Sequence, residues 1–129
     1  MRLINTKFLK LASFLCFLAL TTNVHAESIY DGIYTIPNLG YVYVREQQGQ
    51  IVTVLNQTVG GAYFWVAGQG ALNGASARIT SVLGNSRGEI DFVFTSLSTF
   101  KATQISCIAQ AGQQCLVPNG TVFTGTKVW

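Results

Sequence analysis

Residues 89–96 read EIDFVFTS, and their alternation decides the fold. Ile90, Phe92 and Phe94 share one parity; Glu89, Asp91 and Thr95 hold the other, with Val93 among them. A period of two belongs to a β-strand, whose successive side chains point to opposite faces of a sheet. One face of this strand meets a core and the other meets water.

The same signature recurs outward in both directions. Upstream, GIYTI (32–36) ends at the turn signal Pro37-Asn38-Leu39-Gly40, and YVYVRE (41–46) places Tyr41, Tyr43 and Arg45 opposite Val42, Val44 and Glu46. Gln47-Gln48-Gly49-Gln50 turns the chain into a hairpin partner, IVTVLN (51–56). AYFWVAG (62–68) has Tyr63 and Trp65 on one face and Phe64 and Val66 on the other, so both faces are apolar and a central strand is expected. A long run from Ala71 to Leu83 contains Gly74, where a bend or bulge is expected. Gly84-Asn85-Ser86-Arg87-Gly88 turns into the opening strand. Downstream come a strand over Thr99 to Ile108, a loop, the Pro118-Asn119-Gly120 turn and a last strand from Thr121 to Trp129. No helical period competes. The expectation is an all-β domain: one antiparallel meander of about eight short strands, closed into a small barrel or folded as a two-layer sandwich. Closure removes exposed sheet edges, and eight strands leave room for packed side chains or one small ligand.

The amino-terminal segment has a different character. Arg2, Lys7 and Lys10 precede a ten-residue apolar run, Leu11 to Leu20, and Val24-His25-Ala26 supplies the small residues that a signal peptidase reads. Residues 1–26 are therefore read as a signal peptide and 27–129 as the all-β domain. The run is too short for a membrane-spanning helix, which needs about 20 apolar residues. Cys16 follows Phe14-Leu15 rather than small residues and belongs to the discarded segment. Cleavage also removes the formal charge of +3. Arg45, Arg78, Arg87, Lys101 and Lys127 remain against Glu27, Asp31, Glu46, Glu89 and Asp91, a balance of zero. Scattered cations give no basic face for phosphates, so a nucleic-acid partner is not expected. The one histidine, His25, leaves with the signal peptide, and with it the commonest general base and metal ligand.

Cys107 and Cys115 then remain, in CIAQAGQQC. Two thiols without histidine make a poor zinc site, and a redox pair is more often C-x-x-C. In an oxidising compartment they are expected to form a disulfide, stabilising the fold by roughly 2–3 kcal/mol in the chain-entropy view.

Other motifs yield to plainer readings. Gly84-Asn85-Ser86-Arg87-Gly88 fits G-x-S-x-G, but a nucleophile elbow needs a strand-to-helix turn and a histidine, and this segment joins two strands. Gly68-Gln69-Gly70 with Gly74 lacks the helix that holds a pyrophosphate. Glu89 and Asp91 lie on one strand face and cannot easily flank a sugar, although Glu46 offers a distant partner. Asn56 and Asn119 open N-glycosylation sequons at turn-like positions. Trp129 resembles the aromatic end of an outer-membrane barrel strand, yet Lys127 on the same parity would face lipid.

In size, leader, meander and single cysteine pair, the chain resembles small secreted bacterial β-barrel proteins of the lipocalin-like and lysozyme- or protease-inhibitor types. The G-x-W opening of true lipocalins is absent; Asp31-Gly32-Ile33-Tyr34 stands in its place. No family's site residues carry over.

The expected function is non-enzymatic binding in the periplasm or outside the cell, with no catalytic residue, metal or cofactor. A protein-interaction or inhibitor module comes first, a carrier of a small apolar ligand in a barrel cavity second, and a small outer-membrane-associated barrel third. A carboxylate hydrolase is the enzymatic alternative. Tyr41, Tyr43, Tyr63 and Trp65 are the candidate ligand-binding residues, since each joins an apolar body to a polar handle.

Overall fold

The computed structural model describes residues 28–59, 62–111, 114–115 and 117–129. The signal peptide read over residues 1–26 lies outside them. The described chain is all-β: β1 (Gly32–Ile36), β2 (Gly40–Gln47), β3 (Gln50–Val59), β4 (Ala62–Asn73), β5 (Ser76–Leu83), β6 (Ser86–Phe94), β7 (Thr99–Ile108) and β8 (Val122–Lys127). Each strand pairs antiparallel with the next, and β8 returns to β1 through Tyr34↔Lys127 and Thr35↔Thr126. The sheet is thus a closed meander barrel, not a sandwich. Beyond the ladder, Ile33 donates its amide to the carbonyl of Trp129 at 2.7 Å and accepts from Val128 at 2.8 Å. Each of the eight strands thus has a hydrogen-bonded neighbour on both sides.

Local chemistry sets the turns. Gln48 and Gly49 connect β2 to β3 with φ of 54° and 74°, the paired left-handed geometry of a tight two-residue hairpin. The long run over residues 71–83 is not one bent strand. Gly74, at φ 62°, opens a turn that separates β4 from β5, because only a residue without Cβ takes that conformation freely.

Closure also corrects the reading of β4. Apolar residues on both faces suggested burial on both sides, but one face of a barrel strand always meets the surroundings. Phe64 and Val66 are half-buried, while Tyr63 and Trp65 are 75% and 61% exposed.

The meander puts alternate turns at opposite ends. One end holds the β2–β3, β4–β5 and β6–β7 connections, and it is solid. Tyr30 stacks on Phe94 at 3.9 Å between ring centroids, Phe92 on Phe100 at 4.2 Å, and Tyr34 leans on Phe100 at 5.2 Å. Val44, Ile51 and Ala77 fill the rest. Gly125 faces Phe100 across the β7–β8 ladder, and a Cβ there would lie 2.1 Å from the ring, so the aromatic occupies the glycine's space. The other end, with the β1–β2, β5–β6 and β7–β8 connections, is built differently.

Candidate functional site

Inward positions toward this second end carry small or polar residues where the solid end carries aromatics. Thr53 follows Ile51 on the inward parity of β3, Ser81 follows Ile79 on β5, and Ala102 and Gln104 follow Phe100 on β7. These side chains are too small to fill an eight-stranded interior, and a cavity of about 120 Å³ results. Phe92 and Phe100 form its floor, Leu55, Val66, Ile79, Leu83 and Phe123 its apolar wall.

The mouth is shaped by a bulge and a disulfide. On the β6–β7 ladder Ile90 pairs with Gln104 but Glu89 pairs with Ser106, leaving Ile105 as an extra residue. A one-residue bulge reverses parity beyond it. Cys107 therefore pairs with inward Gly88 and turns toward the mouth. There it bonds to Cys115, as the spacing suggested, with the two Cα atoms 6.0 Å apart. The bond draws part of the β7–β8 connection over the opening, where Gln114, Cys115 and Val117 line the cavity.

Among the described residues five polar side chains are buried: Thr53, Gln57, Ser81, Ser86 and Gln104. All five line this cavity. Thr53 donates weakly to the Gly68 carbonyl at 3.5 Å, Ser81 to the Gly88 carbonyl at 3.3 Å, and Gln104 to the Ser106 carbonyl. Ser86, the serine of the G-x-S-x-G segment, sits in the β5–β6 hairpin and accepts the Gln110 amide at 3.3 Å. Gln57 is only 2% exposed, yet its Nε2 has no hydrogen-bond partner among the described residues. Among the described residues along the lining, the one of ordinarily charged type, Arg87, is exposed at the rim.

Tyr41, Tyr43, Tyr63 and Trp65 do not line the cavity. All four are exposed on the outer wall of β2 and β4. Tyr41 and Trp65 flank Asn56 in one cross-strand row. They form an outer aromatic face, separate from the cavity by the thickness of the sheet. The carboxylates of β6 also point outward: Asp91 accepts two hydrogen bonds from Arg78, and Glu89 lies 3.7 Å from the same guanidinium. That bonding, first of all from Asp91, holds the Arg78 pKa above its usual value. Glu46, on β2, accepts from the Ser28 hydroxyl, and its amide donates to Asp31 at 2.6 Å. Among the described residues no group of three His, Cys, Asp or Glu could hold a metal ion.

The sequence reading missed Gln57, Thr53, Ser81 and Gln104. Their signal was parity: a polar residue in step with Ile51, Ile79 or Phe100 on a strand's core face. Fold and site together define a small closed meander barrel with a one-ended, mostly apolar cavity. No known protein family matches the chain, and neither a curated protein nor a solved structure is detectably similar to it.

Proposed function

We propose that the protein is a non-enzymatic binding protein that takes a small, largely apolar molecule into its barrel. The observation that carries this reading is the segregation of every buried polar side chain among the described residues to one apolar cavity. A core built only for stability gains nothing from that arrangement. A binding site needs it, because a few placed polar groups orient a ligand that apolar walls desolvate. An apolar cavity of roughly 150 Å³ holds benzene; this one, about 120 Å³ and open at its mouth, suits a single-ring molecule of similar size.

The disulfide supports an exported setting, periplasmic or extracellular, since such bonds persist in oxidising compartments. The outer wall supports an aqueous one. Arg78, Glu89 and Asp91 interrupt any apolar belt, and an Arg or Lys at a bilayer midplane costs about 2–4 kcal/mol. The outer aromatic face gives a protein-interaction module its surface, but no feature on it selects a partner, whereas the cavity has selective groups.

The test is a titration of the protein with methylcyclohexane and cyclohexanone, followed through the methyl resonances of Leu55, Val66 and Ile79. Saturable shifts of these three are expected. Linear drift without saturation, for both compounds, would remove the reading.

A further inference from the structure

We propose that the cavity selects an uncharged molecule bearing one carbonyl-type oxygen, a ketone, aldehyde or ester, which accepts the free Nε2–H of Gln57. The inference rests on the cavity-binding reading above and adds the ligand's chemistry and orientation.

Three features of the site carry it. The first is the donor. Thr53, Ser81 and Gln104 give their hydrogens to backbone carbonyls of the barrel. Gln57 Nε2 is buried, lines the cavity and has no partner among the described residues. A buried amide donor is expensive to leave unpaired, so such groups are nearly always matched by an acceptor.

The second is charge. Among the described residues, the only one of ordinarily charged type along the lining is the exposed Arg87 at the rim. A carboxylate placed against Gln57 would be buried without a cation, and burying an unpaired charge costs far more than burying a neutral carbonyl that receives a hydrogen bond. The acceptor is therefore neutral.

The third is position. Gln57 pairs with Gly40 and Phe64 within two residues of the end of β3 on the mouth side, and the floor is Phe92 and Phe100. The carbonyl thus lies toward the mouth, and the apolar body points down onto the aromatic rings.

Methylcyclohexane and cyclohexanone are near-isosteric and differ at the acceptor. Water holds the ketone better than the hydrocarbon, so the readout is their affinity ratio in the wild type against the same ratio in Gln57→Leu. The ratio is expected to move against the ketone by about fivefold or more in the variant, while the hydrocarbon binds as well or better. In the wild type the Gln57 side-chain amide resonance should shift with cyclohexanone and not with methylcyclohexane, and cyclohexanecarboxylate should fail to compete. Gln57→Met serves the same comparison if the leucine variant does not fold. If both probes bind saturably and the ratio is unchanged, this inference falls and the cavity reading survives. Preferred binding of the carboxylate also overturns it. If neither probe saturates, the cavity reading falls and takes the inference with it.

Discussion

Tyr34 shows how one residue couples the plugged end to the rest of the barrel. Its ring is fully buried between Phe94 and Phe100, its hydroxyl donates to the Tyr30 carbonyl at 2.9 Å, and the Lys127 ammonium stands 5.7 Å from its centroid. Burial, then the charges of Asp31 and Tyr30, push the phenol up to about 12. A phenol whose pKa is raised by folding keeps its proton more tightly folded than unfolded. Its stabilising contribution is whole below the unfolded value of about 10 and drains away as pH rises from there to about 12. Stability against urea should therefore fall across that window by up to about 2 kcal/mol, and Tyr34→Phe should flatten the fall. An equally steep loss in the phenylalanine variant would place the alkaline sensitivity elsewhere. Gln57 is the contrasting case: also buried, but with no partner for its donor among the described residues.

Parity, turn chemistry and bulges operate at the scale of the element. The strand EIDFVFTS was legible because its two faces differ in chemistry, and the structure keeps Phe92 and Phe94 buried with Glu89 exposed. Gly74 was legible as a break but not as a turn, since a glycine in a run of small residues serves a bulge and a hairpin equally well. The bulge at Ile105 left no trace in the sequence: TFKATQISCI alternates no less plausibly with Cys107 facing outward. Only pairing with β6 fixes its direction. Deleting Ile105 should give a plain ladder in which Gln104, Ser106 and Cys107 stay opposite Ile90, Glu89 and inward Gly88, so Cys107 still faces the mouth. Thiol titration after oxidative refolding is then expected to find no free cysteine in the variant, as in the wild type. Two free thiols in a folded deletion variant would show that pairing with β6 does not set the direction of Cys107.

At the scale of the whole molecule, register decides what the strands individually cannot. Each strand announces which residues face inward, but not which of them share a level in the barrel. The aromatics gather at one end and the small and polar residues at the other only after eight registers are set, so the cavity was open as a possibility and its lining was not legible. The aromatic residues singled out from sequence drew attention by chemistry alone. Barrel closure put them outside. If the cavity is the site, filling it should separate binding from folding. Ala102 lies buried on its wall, and Ala102→Leu should leave stability unchanged or raise it by about 1 kcal/mol while abolishing probe binding. Retained affinity in a stable leucine variant would move the site elsewhere.

The most direct test is where a bound probe sits. Intermolecular nuclear Overhauser effects, recorded on protein saturated with cyclohexanone, should connect ligand protons to the methyl groups of Leu55, Ile79 and Ala102 and to the rings of Phe92 and Phe100. Contacts confined to Tyr41, Tyr43, Tyr63 and Trp65 on the outer wall would contradict the account.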